Sequence, residues 1–253
     1  KNPVIVFDDA DLERALDAVI FMIYSINGER CTSSSRLLVQ DTIRDEFEAK
    51  LIERVNNIKV GHPLDPATEI GPLVTQEHYN KVTSYFDIAK EDGATIAAGG
   101  IKVGDEGFFI RPTLFTNANN QMRIAQEEIF GPLLPIVAAE TLDDALDTVQ
   151  KGERPLALYW FGEDKSKRDK VLSESISGGV SVNETAWHVV QEDIPFGGVG
   201  PSGMGAYHGE HGFKSFSHMK GVFIQSKWSQ GKNLFPPYTD KTRKMIGLMK
   251  KIL

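Results

Sequence analysis

The chain has 253 residues, 41% of them hydrophobic and 25% charged, with a net charge of −7. That balance suits a globular protein holding one large domain or two modest ones, supplies no basic field to attract nucleic acid, and contains no apolar run long enough to cross a bilayer. A single cysteine excludes an internal disulfide, and with no secretory signal visible a cytoplasmic setting is expected.

The chain opens on Lys1-Asn2-Pro3 without a methionine and reads as a piece of something longer. Pro3 to Phe7 predicts a buried strand, and Asp8-Asp9 offers N-cap oxygens to a helix with Leu12, Leu16, Val19, Ile20 and Ile23 on its apolar face. Arg36 to Gln40 predicts a second strand, followed by a helix carrying Ile43, Phe47, Leu51, Ile52 and Val55, with Gly61 beyond its end. A helix is expected from about residue 75 to 90, then strands over 94–98, 109–115, 133–137, 156–161 and 179–182, with helices over 142–149 and 167–175 between the later ones. Strands separated by helices of that length imply crossover connections and an α/β fold, a largely parallel sheet covered on both faces. From Pro195 to Gly212 glycine dominates, which predicts an ordered loop or hinge rather than a regular element. Residues 213–225 return to a strand-like alternation. After Pro236-Pro237 the basic run Lys241 to Lys244 leads into Met245, Ile246, Leu248, Met249, Ile252 and Leu253, a short amphipathic helix that packs on its own domain, on a second subunit or on a membrane surface.

Cys31 stands in Asn27-Gly28-Glu29-Arg30-Cys31-Thr32-Ser33-Ser34-Ser35-Arg36. A lone cysteine is ordinarily a small buried hydrophobe, but polar and small neighbours just beyond a helix predict an exposed thiol near charge, where a thiolate can form. Gly198-Val199-Gly200-Pro201-Ser202-Gly203 matches the letters of a dinucleotide fingerprint, yet lacks the strand before it, the helix after it and the acidic residue some twenty positions on. His208 and His211 lie three apart beside glycines with no helix to aim them, so no metal site is expected. Glu127-Glu128 followed by Ile129-Phe130-Gly131-Pro132 reads in isolation as a solvated helix end.

Lys1-Asn2-Pro3, the cysteine stretch, Glu128-Ile129-Phe130-Gly131-Pro132 and Pro195-Phe196-Gly197-Gly198, in this order and at these separations, resemble the aldehyde dehydrogenase superfamily over nearly the whole chain. The resemblance implies a three-layer α/β catalytic domain with a C-terminal oligomerisation strand and tail. It implies Cys31 as the nucleophile that takes an aldehyde through a thiohemiacetal and a thioester, its backbone N–H forming half an oxyanion hole. Glu128 matches the residue holding the nicotinamide ribose of NAD or NADP, and Phe130 the aromatic that positions the nicotinamide end. Phe196 would line the substrate funnel, with Asn183 near the active-site loops. The glutamate that activates the deacylating water, the asparagine completing the oxyanion hole and the nucleotide-binding half are expected ahead of Lys1, and Glu29 is not expected to replace that glutamate.

The implied organisation is a catalytic domain over residues 1–185, a glycine-rich active-site loop over 186–212, an oligomerisation strand over 213–225 and an amphipathic tail over 226–253, with a small aldehyde as substrate and a homodimer or homotetramer as the assembly. The front, through about Pro135, resembles semialdehyde dehydrogenases of aromatic catabolism, and the rear, from Arg154 through Tyr207-His208-Gly209 to Tyr238, resembles the coniferyl and class-three branch. Two other functions stay open on the residues alone: a cofactor-free thiol esterase or acyl-transferase, and a non-catalytic oligomerisation module.

Overall fold

The structure, a computed structural model, describes residues 1–229 and 231–251, the side chains of residues 232 and 233 excepted. The chain divides into two compact units, residues 1–216 and 217–253.

In the first unit the elements run β1 (Asn2–Val6), α1 (Leu12–Tyr24), β2 (Ser34–Gln40), α2 (Asp41–Asn57), α3 (Gln76–Glu91), β3 (Thr95–Ala98), β4 (Thr113–Ala118), α4 (Arg123–Gln126), β5 (Leu133–Ala139), α5 (Leu142–Lys151), β6 (Ala157–Phe161), α6 (Lys165–Glu174), β7 (Gly179–Val182), α7 (Trp187–Val190) and α8 (Gly209–Ser215). Seven strands form one sheet in the order β3-β4-β5-β2-β1-β6-β7, parallel throughout except for the antiparallel β3–β4 pair. Strands β1 and β6 read as unbroken apolar runs because helices cover both faces of the sheet there. Val4, Ile5, Val6, Tyr159 and Trp160 are fully buried.

Three expectations are corrected. The N-cap of α1 is Asp11, whose carboxylate accepts from the Arg14 N–H at 3.1 Å, while Asp9 instead accepts from the backbone of Glu163 and Asp164 and ties β1 to the start of α6. Strand β4 begins at Thr113 rather than 109, because Ile110 is used in an isolated bridge to Lys102. No strand forms over 213–225 among the described residues: Gly209–Ser215 is helical, so the glycine-rich segment also ends in a helix rather than a loop. A strand needs a neighbour to satisfy its backbone, and residues 217–225 have no ladder here.

In the second unit the tail helix expected from the sequence forms as α9 (Asp240–Met249), capped by the Thr239 hydroxyl, which accepts from the Thr242 N–H. Ile252 and Leu253 of that expected apolar face lie outside the described residues. Among the described residues no helix is long and apolar enough to cross a membrane.

Candidate active site

Helix α1 ends in a 3₁₀ turn over Ser25–Gly28 in which Ile26, Asn27 and Gly28 take φ values of 52°, 54° and 67°. Three left-handed residues in a row are expensive for side chains, β-branched Ile26 above all, and they reverse the chain sharply enough to bring Cys31 back to the sheet before β2 begins. Asn27 fixes the reversal by donating to the Pro72 carbonyl at 2.9 Å. The residue that follows must be glycine. A Cβ on Gly28 would sit 2.5 Å from the Gly131 carbonyl oxygen and 2.8 Å from that of Ile23, so the cysteine turn packs directly on the turn that carries Glu128 and Phe130.

Cys31 is exposed and in no disulfide. It opens into a cavity of about 230 Å³ lined also by Lys1, Asn2, Glu128, Glu153, Arg154, Pro201 and Ser202. The residues preceding β1, β2, β5 and β6 thus converge at the amino-terminal edge of the parallel sheet. The Gly-rich segment reaches the same place as a narrow hairpin, bridged at Phe196–Tyr207 and Gly200–Gly203, with Pro201 and Ser202 at its tip. A dinucleotide loop, which leads from a strand into a helix, is a different structure.

Asn2 holds the arrangement together. Its side-chain amide donates to the carbonyls of Cys31 (2.7 Å) and Ser33 (3.0 Å) and its oxygen accepts from the Ala157 N–H at 3.0 Å, so one side chain, 5% exposed, links β1, the cysteine turn and β6. Replacing Asn2 by Ala strands these backbone groups, and a loss of about 2–3 kcal/mol is expected in chemical denaturation. Asn2→Asp, which keeps the acceptor but not the two donors, should fall nearly as far, whereas equal stability of all three proteins would remove Asn2 from this role.

Below the cysteine turn, Tyr159 donates its hydroxyl to the Thr32 carbonyl at 2.8 Å, and burial raises its phenol above the ordinary range. His188 packs edge-on against Tyr159 and tilted against Phe196, and shares a 2.8 Å hydrogen bond with Ser181 through Nδ1. It is 6% exposed, and burial lowers its pKa, so the neutral ring is favoured. Phe196 is therefore a buried member of an aromatic stack that backs the cysteine turn, at one remove from the cavity lining.

Glu128 lines the Cys31 cavity with an exposed side chain that accepts no hydrogen bond among the described residues. Its backbone is held by Lys81, and that of Phe130, at φ 64°, accepts from His78 Nε2 at 2.7 Å. His78 also meets the Glu29 carboxylate at 3.4 Å. Glu29 is thereby occupied outside the cavity, its pKa raised by burial and pulled back by His78. Lys1 donates its ammonium to the Glu127 carbonyl at 2.8 Å, and burial together with the Arg36 charge lowers it to about 7.

Asn183 does not join this group. It follows β7 at the opposite, carboxy-terminal edge of the sheet, where its amide exchanges hydrogen bonds with the Gly162 backbone and donates to Glu163 at 3.0 Å. The four residues of β7 separate the two edges by roughly 13 Å, and Asn183 does not line the Cys31 cavity. His78, Glu153, Arg154 and Tyr159 had no reading as site residues in the sequence, Lys1 and Asn2 were marked only as part of the Lys1-Asn2-Pro3 motif, and His188 only as a histidine not expected to hold a metal.

The model of the aldehyde dehydrogenase family matches residues 1–222. A probable coniferyl aldehyde dehydrogenase of Pseudomonas aeruginosa is 39% identical over 97% of this chain and 51% of its own length. A 5-carboxymethyl-2-hydroxymuconate semialdehyde dehydrogenase of Escherichia coli is 42% identical over 79% of this chain and 44% of its own. Among solved structures, HpcC of Thermus thermophilus superposes with a TM-score of 0.81 at 42% identity, covering 85% of this chain and 42% of its own. A betaine aldehyde dehydrogenase of Staphylococcus aureus in complex with NAD+ superposes with a TM-score of 0.80 at 40% identity, covering 85% and 43%. The chain spans about half the length of the curated relatives it matches. With the family match running through the cysteine turn, the Glu128–Pro132 turn and the glycine hairpin, and with the sheet superposing on solved members, the chain belongs to the aldehyde dehydrogenase family.

Proposed function

We propose that this chain is the cysteine-bearing catalytic part of an NAD(P)-dependent aldehyde dehydrogenase that converts an aldehyde to a carboxylic acid. The observation that carries the reading is the shared cavity: an exposed thiol and a carboxylate with unused acceptor capacity open into one space at the amino edge of the sheet. A carboxylate so placed suits a pair of ribose hydroxyl donors, so Glu128 would hold the nicotinamide ribose, and Phe130, beside it in the adjoining crevice, would steady the nicotinamide end.

The Cys31 thiolate attacks the aldehyde carbon, forming a C–S bond and placing charge on the former carbonyl oxygen. The Cys31 N–H makes no hydrogen bond among the described residues and would donate to that oxygen. When bound, the oxidised nicotinamide supplies the hydride acceptor that lets the thiohemiacetal become a thioester. Water then releases the acid, and the resemblance assigns the base for that water to a position ahead of Lys1. Phe196, behind His188 and Tyr159, would shape the substrate funnel by supporting its wall. The exposed Met219, Val222, Phe223 and Ile224 support assembly into a homo-oligomer through residues 218–225, whose backbone would gain a ladder from a second copy.

The test is a stopped-flow reaction of this chain with nitrophenyl acetate. A burst approaching one nitrophenolate per chain, followed by turnover slower by about tenfold or more, is expected where acylation outruns hydrolysis. Fast steady turnover with no burst and no effect of nicotinamide cofactor would favour a cofactor-free acyl-transferase instead.

A further inference from the structure

The Cys31 cavity is also lined by Lys1, whose side-chain amine the proposed chemistry does not use. Its head is fixed by a neutral partner, the Glu127 carbonyl, to which it donates at 2.8 Å. Lys1 forms no ion pair among the described residues, whereas Lys50, Lys151, Lys167 and Lys170 each meet a carboxylate. The Glu127 carboxylate is engaged elsewhere, accepting from the Tyr85 hydroxyl at 2.6 Å and from Arg123 Nε at 2.8 Å. A second cation stands at the same edge of the sheet. Arg36, the ladder partner of Pro3, is 3% exposed; its guanidinium donates to the neutral Asn120 at 2.7 Å, and its Nε is buried with no partner among the described residues.

Two cations held together out of water, with no carboxylate bonded to either, are relieved when one of them gives up its proton, and a guanidinium does not. The relief falls to Lys1. Burial, the Arg36 charge and the more distant Lys81 lower its amine to about 7, against the opposing pull of Glu128 and Glu127. Glu128 and Glu153, which also line the cavity, are exposed and bond to neither cation among the described residues. A desolvated lysine beside another cation keeps its lone pair free near neutral pH, which is the condition for attack on a carbonyl carbon.

We propose that Lys1 is a carbonyl-capture site, whose side-chain amine holds an aldehyde entering the Cys31 cavity as a reversible imine and so withholds that cavity from the thiol. The nitrogen lone pair forms a C–N bond to the aldehyde carbon, and the proton that leaves the nitrogen goes to the former carbonyl oxygen, giving a carbinolamine. Loss of that hydroxyl with the second nitrogen proton, as water, leaves the C=N bond. Nothing is oxidised or reduced, and water reverses the sequence. The inference rests on the proposed function only for the kind of compound that enters the cavity, and it does not require Cys31 to be the nucleophile.

The full chain is treated with benzaldehyde and cyanoborohydride, which reduces an imine to a stable secondary amine, and the benzylated lysines are located by peptide mapping. At pH 7 Lys1 is expected to react about tenfold or more faster than Lys50 and Lys170, whose carboxylate partners raise their pKa values, and the ratio should shrink as the pH rises and those lysines lose their protons too. Lys1→Arg keeps the charge and the α-amine of the chain and removes only the side-chain amine, so label that disappears in it belongs to Nζ. Freed of reagent, the benzylated chain should be acylated at Cys31 by nitrophenyl acetate about fivefold more slowly than a mock-treated one, and Lys1→Arg treated in the same way should keep its rate. Labelling of Lys1 no faster than that of Lys50 and Lys170 would overturn the proposal, as would an equal loss of acylation in the native and Lys1→Arg proteins. If mock-treated protein is not acylated at Cys31, the assignment of the nucleophile fails by itself, and the labelling of Lys1 still decides this inference.

Discussion

Replacing Cys31 by Ala is expected to lower the rate of acylation by nitrophenyl acetate by about 10³-fold or more, leaving only slow reaction at exposed amines. The size follows from what is left behind. The cavity keeps Lys1, Glu128, Glu153 and Arg154, but a methyl group has no lone pair to offer an acyl carbon. Lys1 is the informative residue in that variant. Its amine, lowered to about 7, is the next nucleophile lining the cavity. Residual labelling that maps to Lys1 would place reagent in the same space, whereas an unchanged rate would mean that Cys31 is inert. Because Cys31 is exposed and its side chain packs no core, the variant should keep its thermal midpoint, which separates lost chemistry from lost folding.

Gly28→Ala should be a strongly damaging single methyl group in the first unit. Its φ of 67° alone costs an alanine roughly 1–2 kcal/mol, and the added Cβ meets backbone oxygens of both Gly131 and Ile23, neither of which can swing aside. A total loss of about 3 kcal/mol is expected, which lowers the midpoint of a domain this size by roughly 6–12 °C. Gly200→Ala is the matched control, since Gly200 has φ 62° with open space around its Cβ position, and should lose only the smaller conformational part. Acylation should fall as well in Gly28→Ala, because the displaced turns carry Cys31 on one side and Glu128 on the other. Equal midpoints for the two alanine variants would mean that the contact between the turns is soft.

Much of the sheet was legible in the sequence because parallel strands buried on both faces are written as compact apolar runs, such as Val4-Ile5-Val6 and Leu158-Tyr159-Trp160, between helices with clear periodicity. The failures have local causes. Asp9 looked like a cap because nothing in the sequence reports that it binds the backbone of Glu163 and Asp164, more than 150 residues away. Residues 213–225 alternate like a strand, but alternation specifies a face and not the neighbour that would complete the ladder.

The candidate site was legible only as far as its motifs. Cys31, Glu128 and Phe130 could be named from a resemblance, yet the cavity is completed by Lys1, Asn2, Glu153 and Arg154, which converge only because β1, β2, β5 and β6 start at one edge of the sheet. General experience with open α/β sheets directs attention to the carboxy-terminal edge, where Asn183 is found closing a turn. Strand order is the missing information. Tyr159 reaches Thr32 across 127 positions, and no periodicity along the chain encodes that.

Intact mass after brief exposure of the native chain to nitrophenyl acetate, followed by peptide mapping, tests the nucleophile most directly. One acetyl group on the peptide that carries Cys31, absent from Cys31→Ala, is the expected result. A folded protein that stays unmodified, or one whose acetyl group maps to Lys1 while the Cys31 thiol remains free, would contradict it.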